Sequence, residues 1–143
     1  MRIEEILRLK GHDVATVTAS HTVLEAIRIL VDRNIGSLVV VDGERTIGIF
    51  TERDILRLAA RSPGKLEATK VGDAMTRDPI TAALHDQFDD VMELMTRNRI
   101  RHLPVMDAGR LAGLVSIGDL VKACLDLTEQ ENVQLRDYIG GAG

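Results

Sequence analysis

Residues 48–54 read GIFTERD and residues 113–119 read GLVSIGD: in both, a glycine, two apolar residues, a hydroxyl residue, two variable positions and an aspartate. Set in register, the match spreads outward at a constant offset of 65, through Arg45 with Arg110, Asp42 with Asp107, Ile35 with Ile100, Leu30 with Met95, Ile27 with Met92, Ala26 with Val91 and Val23 with Phe88. Further back, VTASHTV against ITAALHDQF asks for two extra residues in the second copy, just before a helix, where a loop tolerates insertion. One unit is written twice. Each copy is too short to enclose a core alone, so the two are expected to pack on each other.

Within a copy the periodicity changes twice. Val23, Ala26, Ile27 and Leu30 follow helical spacing, and Thr22 with Glu25 three residues on is a capping-box start. SLVVVD, DGER and TIGIF then read as strand, turn and strand of a hairpin, and TERDILRLAA resumes a helical pattern. With a strand-like VATV ahead, the unit is strand, helix, strand, strand, helix, repeated in PITA, VMELM, HLPVMD, RLAGLVS and GDLVKACL. The chain divides as 1–61 (first copy with an N-terminal anchor segment), 62–77 (connector with an apolar anchor at Val71 and Met75), 78–126 (second copy) and 127–143 (a C-terminal helix with a flexible tail). MRIEEILRLKGHD is the connector's counterpart, and Val133, Leu135, Tyr138 and Ile139 are candidate contacts of the last helix, which is expected to pack along one stripe against another chain.

Composition narrows the function. With 143 residues, 45% hydrophobic and a net charge of -4, the chain has no broad electrostatic pull toward nucleic acid or anionic membrane. Aromatics make up 2%, too few for the stacking platforms of single-strand binders. No stretch approaches the ~18 apolar residues of a membrane span, and Cys124 is the single cysteine, so a reducing, cytoplasmic setting is expected, with Cys124 as a small buried hydrophobe. His12, His21, His85 and His102 have no spacing that gathers metal ligands, and neither a tuned acid–base pair nor a nucleophile in a triad setting is present. A metal and an enzymatic activity are therefore not expected.

Thr51 and Ser116, followed three residues later by Asp54 and Asp119, fit a helix N-cap with its acidic partner. The same geometry suits a nucleotide. Free N–H groups at a helix N-terminus favour an anion, a hydroxyl there donates to phosphate, and an aspartate one turn on accepts from vicinal ribose hydroxyls. Taken alone, capping is the simpler account, and both stand. Gly48 and Gly113 permit a strand twist or the close approach of a backbone or a ligand.

The repeated phrase together with IRHLPVMD resembles a tandem pair of cystathionine-beta-synthase (CBS) domains, a Bateman module, over residues 3–125. TERD, TKVGDAMT, MTRNRIRHLPV, VSIGDLVKA and YIGG further resemble small stand-alone two-CBS proteins of bacteria and plant organelles, which implies a chain complete in itself. The resemblance implies an α/β (α+β) fold of two repeats, each roughly β-α-β-β-α, packed as a pseudo-two-fold pair. It also implies a non-enzymatic regulatory module with AMP, ADP, ATP, NAD or S-adenosylmethionine between the repeats. Carried over, Thr51 and Asp54 face phosphate and ribose in one cleft, Ser116 and Asp119 in the other. Adenine is expected near Thr16, Val17 and Thr18 and the backbone of Ile35 and Gly36, with Pro104 on the facing strand. Family modules assemble into four-repeat discs, so a homodimer is expected with LRLAA and VKACL at its seam, and a regulated partner protein is possible. The rival is a constitutive interaction scaffold whose phrases serve only as helix caps.

The copies also differ. Arg53 stands where the second copy has Gly118, and Arg101 and His102 stand where the first has Gly36 and Ser37. Arg101 and His102 are expected to reach a phosphate whose ribose Asp54 holds, making that cleft the tighter, and His102 is expected to gain charge at low pH and tighten binding, near about 6.5 if nothing perturbs it. Arg97 and Arg99 fit either a solvated helix end or the ligand.

Overall fold

A cap starts the first long helix. Thr22 Oγ1 accepts the Glu25 N–H at 3.1 Å and Glu25 Oε1 accepts the Thr22 N–H at 3.0 Å, closing the expected box. The structure, a computed structural model, describes residues 1–142, with side chains through Glu129. α2 (Val23–Arg33) stops on Asn34 in the left-handed region, and its counterpart α5 (Phe88–Asn98) stops on Arg99 in the same conformation. β2 (Ser37–Asp42) pairs antiparallel with β3 (Arg45–Thr51), as β6 (His102–Asp107) does with β7 (Arg110–Ser116). Both ladders slip at equivalent places, Val40/Val41 and Val105/Met106, so even the bulge is repeated. α3 (Glu52–Arg61) and α6 (Ile117–Ala142) follow directly from the hairpins.

Short parallel strands lead in: β1 (Thr16–Val17) beside β2, and β5 (Ala82–Ala83) beside β6. Val17 faces Val40 and Ala82 faces Val105, while α2 starts at Val23 and α5 at Phe88, so the offset of 65 persists through this loop. The two-residue insertion expected there is absent. The true mate of VTASHTV is AALHDQF, which shares so little with it that the threonine of ITA drew the alignment off register.

Two cores result. Val17, Val23, Ala26, Leu30, Leu38, Val40 and Phe50 form one, and Val71 of the connector completes it, with Met75 against its side. Val91, Met95, Leu103, Val105, Val115 and Leu120 form the other, completed by Ile3, Ile6 and Leu7 of α1 (Ile3–Lys10). Each of these three side chains, once buried, contributes about 1.5–3 kcal/mol. The N-terminal anchor thus belongs in space to the second copy, and the connector's anchor, α4 (Val71–Ala74) with β4 (Thr76–Arg77), to the first. Isolated bridges mirror this exchange: Thr22 with Lys70, Arg2 with Gln87.

The repeated glycines mark where the anchors cross. A Cβ on Gly48 would lie 2.6 Å from Met75 Sδ and 2.8 Å from Thr76 O; one on Gly113 would lie 2.8 Å from Leu7 Cδ1. Close approach by the exchanged anchor is therefore what these positions require.

The anchors differ in length, eight residues in α1 against four in α4. α4 ends early enough for β4 to pair with β3, giving a four-stranded sheet in the order β1-β2-β3-β4. α1 runs on past that point, and the second sheet, β5-β6-β7, has three strands.

Cys124 is exposed, not buried as expected: it lies on α6 beside Ala123, which takes the inward position. Leu56 on α3 and Val121, Leu125 and Leu127 on α6 are exposed as well. The contacts expected of Val133, Leu135, Tyr138 and Ile139 lie outside the described side chains, and of the tail expected to be flexible, residues 140–142 continue α6. Among the described residues no helix is long and apolar enough to cross a membrane.

Candidate functional site: the cleft between the copies

β3 passes into α3 through Thr51, and Asp54 sits in the first turn of the helix. Thr51 donates to Asp54 Oδ2 through its N–H at 2.9 Å and through Oγ1 at 3.3 Å, and Thr76 Oγ1 donates to Asp54 Oδ1 at 3.3 Å. Arg57 Nη1 lies 3.8 Å from Oδ1. Asp54 is 4% exposed, and its carboxyl is held in place by hydroxyls from two elements and faced by the guanidinium one turn on. Capping is therefore real at Asp54. It does not exhaust the site.

Arg53, the neighbour of that carboxylate, reaches across to the second copy, where Nη1 donates to Arg99 O at 3.1 Å. Between the copies lies a cavity of about 870 Å³ bordered by Thr51, Arg53, Asp54 and Thr76 on one side and by Arg99, Arg101, His102 and Ser116 on the other. Gly36 lines it too. A Cβ there would sit 3.0 Å from Glu52 Oε1 and 3.2 Å from His102 Nε2, so the missing side chain is what lets the His102 ring reach the first copy.

Burial pushes the His102 imidazole below its ordinary value of 6.5, with help from the Lys10 and Arg101 charges and against Glu52 and Asp119. The condition that nothing perturbs the ring is thus not met. At neutral pH the ring is neutral, and phosphate would meet an N–H donor, not a cation.

Of the residues singled out from the sequence, Gly36, Thr51, Arg53, Asp54, Arg101, His102 and Ser116 converge on this cavity. Thr16, Val17, Thr18, Ile35, Pro104 and Asp119 do not border it. Sheet order explains the first three: β1 occupies the edge opposite β4, two strands from β3. Val17 is core, and both the N–H and the hydroxyl of Thr18 go to His21 Nδ1 at 3.0 Å. Ile35 packs against the first core and Pro104 is buried in β6. Arg97 pairs with Glu93 on the surface of α5, whereas Arg99 lines the cavity.

Asp119 has a different neighbourhood. Ser116 N–H donates to its Oδ2 at 2.8 Å and Ser116 Oγ accepts its N–H at 3.1 Å, the full reciprocal box. Lys10 Nζ, from the exchanged anchor, donates to the same Oδ2 at 2.6 Å and to Leu114 O at 2.6 Å. Burial opposes ionisation of Asp119, but the bonds from Lys10 and Ser116 outweigh it and hold the carboxyl below the usual carboxylate range.

Sequence reading missed Thr76, at the end of the connector, and Asp78, Pro79 and Ile80, at the start of the second copy, which border the cavity. A signal existed: RDPIT at 77–81 is the 65-offset mate of HDVAT at 12–16. Lys10 left no such signal, because α1 is out of step with α4.

A family model for the CBS domain matches residues 3–61 and 71–126. The chain belongs to the CBS-domain family. Both matches begin on the first residue of an anchor helix, Ile3 of α1 and Val71 of α4, so each CBS repeat as written in sequence contributes its anchor to the other in space. The chain is 36% identical over 148 aligned positions, 97% of its length and 72% of the relative's, to the CBS domain-containing protein CBSX3, mitochondrial, of Arabidopsis thaliana. The crystal structure of the CBS-domain containing protein ATU1752 from Agrobacterium tumefaciens superposes with a TM-score of 0.83 at 40% identity, over 86% of this chain and 98% of that one. The CBS domain protein PAE2072 from Pyrobaculum aerophilum, complexed with AMP, superposes with a TM-score of 0.74 at 28% identity, over 83% of this chain and 89% of that one. The pair of repeats, the hairpins and the cleft are thus those of a CBS pair.

Proposed function

We propose that the chain is a non-enzymatic regulatory module that binds an adenosine nucleotide, AMP, ADP, ATP or NAD, in the cavity bordered by Asp54. The observation that carries this is the meeting of Thr51, Arg53 and Asp54 from one repeat with Arg99, Arg101 and His102 from the other around about 870 Å³ of open space. Asp54 accepts the ribose hydroxyls in exchange for the Thr51 and Thr76 hydroxyls, whose 3.3 Å bonds are long enough to yield. Arg53, Arg101 and the His102 N–H face the phosphate. Adenine lies against Thr76, Pro79 and Ile80, where the connector meets the second copy, in place of the first-strand position expected for it. The complex of PAE2072 with AMP supports the ligand class.

Binding is read out through a homodimer, whose seam the exposed Leu56, Val121 and Leu125 supply, or through a partner protein. A cytoplasmic setting belongs to the same reading. Calorimetry with AMP and adenosine tests it: AMP binds the wild type, and Arg101→Ala weakens AMP about tenfold while leaving adenosine unchanged, since only a charge-assisted bond to phosphate is lost. Equal binding of AMP by both would reject the phosphate assignment; no binding by the wild type would reject the function.

One observation favours the second reading, a constitutive scaffold: every oxygen of Asp54 already has a protein donor. That reading predicts no change in Tm with AMP, ATP or NAD, where a ligand at 100 times its Kd adds about 2.7 kcal/mol.

A further inference from the structure

Asp119 is the 65-offset mate of Asp54, on the same turn of an equivalent helix after an equivalent hairpin. What differs is the donor supplied by the exchanged anchor. Asp54 receives a neutral threonine hydroxyl at 3.3 Å; Asp119 receives an ammonium at 2.6 Å. The three-donor head of Lys10 bridges Asp119 and Leu114 O, the carbonyl that a fourth strand would otherwise occupy, and His12 Nδ1–H donates to Ala112 O at 2.9 Å along the same edge. A charge-assisted bond of this kind is roughly twice as strong as a neutral one, and the aspartate's preference for its ionised form is in keeping with it.

We propose that Lys10 is an internal competitor for the second cleft: its ammonium occupies the acceptor that a nucleoside's vicinal hydroxyls would need at Asp119, and so keeps that cleft closed. The inference rests on the reading of Asp54 as a ribose acceptor, extended to its mate. The polar contacts of Lys10 are those of its head. Its side chain is 33% exposed, and it stands at the last position of α1, followed by Gly11 at φ 106 with no atom within 4 Å of a Cβ built there. The buried contacts of the helix, Ile3, Ile6 and Leu7, lie on the preceding turns. Releasing the ammonium therefore frees Asp119 without unpacking α1.

Calorimetric titration of the full chain with AMP tests this. The wild type and Lys10→Arg, which keeps the charge, are expected to show one site per chain. Lys10→Met keeps the aliphatic stem and is expected to add a second site whose Kd is tighter than in the wild type by about tenfold or more. The gained site should survive Asp54→Asn and vanish when Asp119→Asn is combined with Lys10→Met. An unchanged isotherm in a Lys10→Met protein with native circular dichroism would overturn the proposal, as would a gained site that persists without Asp119. If the wild type does not bind AMP while Lys10→Met does, the Asp54 reading fails and this one stands; if neither binds, both fall.

Discussion

The same seven-residue phrase ends in two different sites, and the difference lies outside the phrase. At Asp54 the anchor that arrives is four helical residues and a strand, bringing Thr76; at Asp119 it is an eight-residue helix, bringing Lys10. A repeat in sequence fixes backbone geometry at both places, yet the chemistry of each carboxylate is decided by a segment from elsewhere in the chain. An exchanged anchor is thus a means of making two copies unequal while leaving both folds intact.

The strongest way to break the comparison is to neutralise each aspartate. Asp54→Asn is expected to weaken AMP by about 100-fold or more, since it removes a charged acceptor, whereas Asp119→Asn leaves the affinity unchanged, both read by calorimetry. On the stability side, Asp54→Ala removes the acceptor of the half-buried Thr51 N–H and of the exposed Thr76 hydroxyl and costs about 1 kcal/mol, the scale of an ordinary cap.

The crossing points come next. Gly48→Ala drives a Cβ against the backbone oxygen of Thr76 as well as Met75, while Gly113→Ala meets only the branched end of Leu7. Overpacking of this kind costs about 1–3 kcal/mol, with Gly48→Ala at the upper end and Gly113→Ala at the lower, measured as urea midpoints. Equal losses would mean that the anchors are held alike.

His102 gives a smaller, pH-dependent difference. Because burial lowers its native value, the unfolded chain binds more protons than the native one between that value and 6.5. Stability therefore falls as pH drops through about 6.5, and the slope disappears in His102→Gln; chemical denaturation at pH 7.5 and 5.5 measures it. Protonation should not tighten AMP between pH 7.5 and 6.5.

The smallest effect is at the helix ends. Arg99 adopts φ 53 where the first copy has Asn34 at the same φ. Asparagine tolerates this region better, so Arg99→Asn is expected to stabilise the fold by about 0.5–1 kcal/mol and Asn34→Arg to destabilise it by a similar amount, both seen as shifts in Tm.

Much of this was legible in the chain. Helical spacing, the Thr22–Glu25 box and the β-branched runs reported local structure, because they depend on neighbours in sequence. The Asp54 site was half legible: Thr51, Arg53 and Asp54 sit in the phrase, and Arg101 and His102 stood out as departures from the repeat. Thr76 was hidden because a connector has no periodicity to report its destination, Asp78, Pro79 and Ile80 were marked only as the 65-offset mates of Asp13, Val14 and Ala15, and Thr16, Val17 and Thr18 do not border this cavity because which edge of a sheet a strand joins is a long-range fact. Cys124 was misjudged for the converse reason, as the outward face of α6 is apolar too.

The exchange of anchors also sets a timetable for synthesis. Ile3 leaves the ribosome ahead of both copies, but the core it completes includes Leu120, 117 residues later. At about 5–20 residues per second that is a wait of roughly 6–23 s, during which the apolar stripe of α1 has no native partner. The first copy, by contrast, can close as soon as Val71 and Thr76 emerge. Vectorial production therefore yields a finished first half carrying an unsatisfied N-terminal helix, a species exposed to chaperones and proteases until the last hairpin appears.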